Sequence, residues 1–157
     1  MTEQTITQTT TTSSDERDLQ EAEHIRRHHA HLVAELDGLT RAFHEADDAD
    51  TDRDRAAVAT FLDDSLLPHA RGEEETIYRA AAGLESGAPL VDALVREHRL
   101  IQQMVSAFGS SSPADARVWG LAISETFRSH QAKEDEVVVP LLLAAPGVSL
   151  VEAHAGH

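Results

Sequence analysis

The 157-residue sequence contains no cysteine, which excludes disulfides, thiolate metal sites and thiol catalysis. Aromatic residues are scarce: one Trp, one Tyr and four Phe leave the core to Leu, Val, Ala and Ile, a composition that favours helices. No run approaches the roughly 18 to 20 apolar residues of a membrane span. The opening MTEQTITQTTTTSSDERD lacks the basic-then-apolar order of a secretory signal. Positive charge is also short, with 13 Lys+Arg against 28 Asp+Glu and a formal net charge of -15. Such a chain repels phosphate backbones and anionic membranes, so neither nucleic acid nor membrane is an expected partner. The length is that of one domain, and the sequence reads as a soluble cytoplasmic protein. Histidine is the residue in excess, at ten.

Residues 1–13 are mostly Thr, Gln and Ser with little to bury and are expected to be a disordered tail. Ser13 with Glu16 three residues on is a capping-box signature for a helix reaching about Ala46. Its apolar seam is Ile25, Leu32, Leu36, Leu39 and Phe43, with one gap filled by His29. The acidic stretch Asp47 to Asp54 reads as a turn, with Thr51 as a cap for the second helix. The second seam is Val58, Leu62, Leu66, His69, Glu73, Ile77 and Ala80, and Pro68 within it predicts a bend. Gly83 to Gly87 break the chain. The third seam is Val91, Leu94, His98, Ile101, Val105 and Phe108, stopped at Gly109. Ser112-Pro113-Ala114-Asp115 opens the fourth, which is Trp119, Ile123, Phe127, His130, Glu134, Val137 and Leu141, with Pro140 at a fraying end. Four amphipathic helices joined by short polar loops predict an all-α fold, an antiparallel up-down-up-down four-helix bundle over residues 14–145, with 146–157 loose.

His69 with Glu73, and His130 with Glu134, are i,i+4 pairs whose side chains leave one helix face a turn apart. Composition alone predicts about one His-x-x-x-Glu by chance. A third pair, His31 with Glu35, lies on the polar stripe of His24 and His28 and points away from the seam. The other two pairs differ because the seams direct His29, His69, Glu73, His98, His130 and Glu134 into the interior together. Burying a carboxylate without a partner costs several kcal/mol at least, so six such groups meeting in a core call for cations. Imidazole and carboxylate without thiolate suit Fe, Mn or Zn. His28 is the neighbouring alternative to His29, and the seam selects His29. Glu74, Glu75, Asp135 and Glu136 read as solvated acids, and Tyr78 as an aromatic at the boundary of the core, with donation of a proton or hydrogen bond near the site as its alternative.

The pattern His29, then His69-Ala-Arg-Gly-Glu73, then His98, then His130-Gln-Ala-Lys-Glu134 resembles the hemerythrin-like family, specifically its bacterial subgroup with an H-HxxxE-H-HxxxE pattern. The flanking LLPHARGEEETIY, REHRLI and HQAKEDEVVVPLL add to the resemblance. It implies two iron ions, oxo- or hydroxo-bridged, ahead of Mn or Zn. One would be held by His29 and His69 and the other by His98 and His130, with Glu73 and Glu134 bridging and Asp135 as the alternative second bridge. Oxygen-carrying hemerythrins add a His four residues after the third-helix ligand, where this chain has Gln102. That departure leaves a coordination position open and weighs against simple oxygen carriage.

The expected function is therefore that of a non-haem diiron protein acting on a small oxidant, with hydrogen peroxide disproportionation first and nitric oxide handling second, in stress defence. A non-catalytic module that binds or senses oxygen or iron is the alternative, and plain metal storage or a structural bundle comes third. The chain is expected to work as a monomer or homodimer.

Overall fold

The computed structural model describes the backbone of residues 4–155 and the side chains of residues 14–155. Among the described residues there is helix and turn but no strand, and no helix is long and apolar enough to cross a membrane. The first rod is α1 (Gln4–Glu45). The second is α2 (Thr51–Phe61), a π segment (Leu62–Leu66), α3 (Leu67–Glu75) and α4 (Ile77–Ala82). The third is α5 (Ala88–Ser110), and the fourth is α6 (Pro113–Lys133), a second π segment (Glu134–Val138) and α7 (Val139–Ala144), followed by the short α8 (Leu150–His154). α1 packs on α2 and α6, and α5 packs on α6 and α4.

Most seam positions are buried as the periodicity predicts, including Ile25, Leu32, Leu36, Phe43, Val58, Leu62, Leu66, Ile77, Val91, Leu94, Ile101, Phe108, Ile123 and Phe127. The fourth seam departs from expectation. Trp119 and Val137 are exposed, whereas Ala116, Gly120, Val138 and Leu142 face inward. The π segment causes the later part of this shift. Each turn there takes up more than 3.6 residues, so from Glu134 the buried positions step by four, to Val138 and Leu142. In the earlier part Gly120 faces the core in place of Trp119, and a Cβ there would make ordinary contact with Thr40 and Phe108 at 3.5 and 3.7 Å.

Both π segments end two residues before a proline, Pro68 in one rod and Pro140 in the other. A helical proline cannot donate to the carbonyl four residues back and its ring crowds that carbonyl, Asp64 or Glu136 here, so the preceding turn widens. Pro140 accordingly widens its helix rather than ending it, and the helix continues to Ala144.

The ends also differ from expectation. Of the Thr-rich stretch, residues 1–3 lie outside the described residues, while the backbone from Gln4 is helical and continuous with α1, so the Ser13–Glu16 box does not mark a helix start. The turn before α2 is organised by Asp47, whose Oδ1 accepts from the backbone N–H of Ala49 and Asp50 at 3.0 and 3.1 Å; Thr51 instead donates to the Asp47 carbonyl. Ser112 caps α6 as predicted, accepting from the Asp115 N–H at 3.2 Å. Beyond Pro146 the chain is tied down rather than loose. Buried Asp18 accepts from the Ser149 hydroxyl at 2.9 Å and from the Val151 N–H at 3.0 Å, and Leu150 is fully buried.

The turn between the second and third rods rests on Gly87. A Cβ there would lie 1.9 Å from the Ala81 carbonyl oxygen, a backbone atom that no rotamer change can move. Gly87→Ala should therefore destabilise the fold by about 3 kcal/mol in chemical denaturation. Gly38→Ala, where a Cβ meets nothing within 4 Å, should stabilise α1 by about 0.5 to 1 kcal/mol.

Candidate metal centre

The apolar side chains form two separate clusters. One contains Leu32, Leu36, Phe61, Leu66, Ile101 and Phe127, and the other Ile25, Ile77, Tyr78, Leu94, Val138 and Val139. Along each rod the predicted polar residues fall at the boundary between them: His29 between Ile25 and Leu32, His69 and Glu73 between Leu66 and Ile77, His98 between Leu94 and Ile101, and His130 and Glu134 between Phe127 and Val138. All six are buried, with Glu134 and His130 fully enclosed and Glu73 at 1% exposure. His28, one residue from His29, is exposed.

These six residues converge as two groups, His29, His69, Glu73 and Glu134, and Glu73, His98, His130 and Glu134. Within each group one potential ligand atom from every residue lies within 4.8 Å of all the others. Both carboxylates belong to both groups. The Nε2 atoms of His29 and His69 lie 3.2 and 3.1 Å from Glu73 Oε1, and that of His98 lies 3.6 Å from Oε2. His130 Nε2 is 3.2 Å from Glu134 Oε1.

The outer nitrogen of three of these rings is hydrogen-bonded to a further carboxylate. Nδ1 of His29 donates to Asp135 at 2.7 Å, that of His98 to Glu74 at 2.8 Å and that of His130 to Glu97 at 2.9 Å. A carboxylate only accepts, so each of these Nδ1 atoms carries a proton and the neutral ring presents a lone pair at Nε2. Lone pairs then face carboxylate oxygens, an arrangement that repels unless a positive charge sits between them. Both oxygens of Glu73 are buried and without a hydrogen-bond partner. By this test the residues fit a cation: orphaned carboxylate oxygens and inward imidazole nitrogens, with carboxylates behind the rings as in carboxylate–histidine–metal arrangements.

Without a cation, protons take over part of that role. Burial alone would lower the His29 pKa, but the hydrogen bond to Asp135 and the adjacent Glu73 outweigh it and raise it to about 10. His130 is raised in the same way, burial opposing and Glu134 prevailing. For Glu73, burial is overcome by His29, His69 and His98, which hold the carboxyl well below the usual range. Glu134 shifts upward, through burial first and then the Glu73 charge. The two central carboxylates are thus unequal, one firmly ionised and the other inclined to keep a proton.

Residues 20–142 match the family described as Hemerythrin HHE cation binding domain. The chain belongs to that family. Comparison with curated proteins and with solved structures gives no significant match. The matched span takes in every member of the two His/Glu groups.

Four contributors to this hemerythrin-family site were either given another role by sequence reasoning or not singled out by it. Tyr78 is 1% exposed rather than at the boundary; its ring stacks on His98 at 5.3 Å between centroids and its hydroxyl donates to Glu134 Oε1, with His130 Nε2 at 3.1 Å. Glu74 and Asp135 are not merely solvated acids, because each holds an imidazole from behind. Glu97, not singled out by periodicity, holds His130 and Lys133 together; burial opposes its ionisation, but Lys133 and His130 lower its pKa. A usable signal existed, since Glu74, Asp135 and Glu97 are each the immediate sequence neighbour of an interior residue. Gln102 is exposed and belongs to neither group.

Removing an outer carboxylate should loosen the rings without unfolding the chain. Asp135→Ala and Glu97→Ala are expected to weaken metal affinity roughly 10- to 100-fold in chelator competition, with unchanged helical circular dichroism.

Proposed function

We propose that the chain is an antiparallel four-helix bundle that holds two iron ions, His29 and His69 on one, His98 and His130 on the other, Glu73 and Glu134 shared, and acts on a small oxidant. The observation that carries this reading is the sharing of both carboxylates between two imidazole pairs within one buried layer. When bound, an iron pair supplies two-electron redox chemistry, with hydrogen peroxide as the first substrate and nitric oxide as the second. Iron is preferred to Mn because the hemerythrin resemblance implies it, and to Zn because Zn²⁺ has no redox chemistry.

The chain's own residues would shape that chemistry in three ways. The apolar clusters flank the layer above and below and leave its six side chains buried, so charges inside it interact strongly. Asp135, Glu74 and Glu97 fix three imidazoles with Nε2 inward. Tyr78 holds a proton at its hydroxyl, where burial followed by the Glu134 and Glu73 charges raises its pKa far above the ordinary phenol value. That hydroxyl donates to Glu134 Oε1 while Gln131 Nε2 donates to Oε2 at 2.5 Å, leaving Glu134 the more neutralised of the two carboxylates. Gln102, exposed where oxygen carriers place a further histidine, supports turnover over simple carriage.

Protein purified without chelators should contain about two irons per chain, absorb in the near ultraviolet, and evolve oxygen from peroxide faster than free iron. Loading should add about 4 kcal/mol of stability at roughly a thousand-fold excess over Kd, and Glu73→Ala with Glu134→Ala should abolish both the metal content and that gain. Metal bound without turnover of peroxide or nitric oxide, but with a reversible spectral change on oxygenation, would replace the enzyme reading with a sensing one. An unchanged metal content in the double variant would refute the site itself.

A further inference from the structure

A cavity of about 440 Å³ runs from the surface to the first ligand group, bounded inside by His29, His69 and Glu73 and farther out by His24, His28 and His154. His24 and His28 are exposed and stand one turn apart on α1, and His154 is brought alongside by α8. The His28 ring lies edge-on to that of His69 with centroids 5.2 Å apart, and 6.5 Å from that of His29, so outer and inner imidazoles form a continuous series. Across the mouth His154 Nδ1 is bonded to Glu21 at 2.5 Å, which places a carboxylate at the rim of a chain already at net charge -15.

Resting on the metal-centre reading, we propose that this cavity is the loading port for the centre, and that His24, His28 and His154 capture a divalent cation from solution and pass it to His29 and His69. Imidazole suits that task because it binds transition-metal divalent ions readily while the strongly hydrated Mg²⁺ prefers oxygen ligands. The outer histidines are spread along the wall rather than converging, and among the described residues only the inner six form groups with metal-binding spacing. A cation at the mouth therefore meets one or two ligands at a time and is released inward, where four ligands, ionised Glu73 among them, hold it more tightly. A preformed outer site would trap the ion instead. The final step is a ligand exchange without redox change: bonds to His28 break as bonds to His69 and His29 form, and the protons displaced from the inner imidazoles leave with solvent.

The test is anaerobic Fe²⁺ uptake by the full metal-free chain, followed by stopped-flow absorbance and by metal analysis at equilibrium. His24→Gln with His28→Gln should slow uptake about tenfold, equivalent to about 1.4 kcal/mol lost from the capture step, while final stoichiometry stays that of wild type. Adding His154→Gln should slow it further, and His31→Gln, on α1 but outside the cavity lining, should leave the rate unchanged. Both residues changed in the double variant are exposed, so it retains the fold, and circular dichroism verifies it. Uptake at the wild-type rate in the double and triple variants would overturn the port. So would a lowered final stoichiometry, which would make the outer histidines part of the bound site. Failure of the wild-type chain to bind any Fe²⁺ would instead overturn the metal-centre reading, and the port with it.

Discussion

Two carboxylates, Glu73 and Glu134, are shut away from water in a layer of imidazoles between two hydrophobic clusters, and this layer must be neutralised from within. An ionised carboxylate in so dry a place costs more than a small domain's margin of stability unless positive charge stands beside it. Imidazole lone pairs do not provide that charge. Either protons on the rings or cations between them do, and the raised pKa of His29 and the depressed one of Glu73 record the proton alternative. The site is thus a place where protons and metal ions compete for the same lone pairs.

The rest of the architecture serves the level at which this layer sits. Each rod supplies its polar residues at the same height between apolar turns. The two rods that supply a His-x-x-x-Glu pair each contain a π segment next to a proline. In the second rod the widened turn precedes His69, and in the fourth it begins at Glu134. A π turn advances the phase of everything after it, which keeps the interior face inward over a length at which a regular seam would drift. Arg55 and Arg117 secure the opposite end of the molecule, donating to the carbonyls of Phe108 and Ala46 at 2.9 and 2.7 Å where α5 and α1 run out.

Much of the helical fold and the shared burial of six His and Glu residues were legible in local periodicity. His29 was distinguishable from His28 by the spacing of Ile25, Leu32 and Leu36, and Glu134 from Asp135 by its place four residues after His130; the structure buries the first of each pair and leaves the second at or near the surface. The exposed Trp119 and Val137 mark where the same reasoning failed. A fixed apolar period cannot register a π turn or a glycine that faces the core, as Gly120 does. Tyr78 was misjudged for a related reason: a break at Thr76, outside helical dihedral angles, re-phases α4 and turns the ring inward.

By itself the sequence determined the helical class, the spacing of the polar residues within each seam and the absence of thiolate chemistry, because these depend only on residue type and on near neighbours along one helix. Tertiary structure alone decided which carboxylate stands behind which ring. Asp135 and His29 are 106 residues apart, Glu97 and His130 33, and Glu74 and His98 24. It also decided that His154 would come to lie beside His24 and His28 at a cavity mouth. Such pairings are set by how the rods rotate and slide against one another, and packing between distant segments leaves no period in the chain.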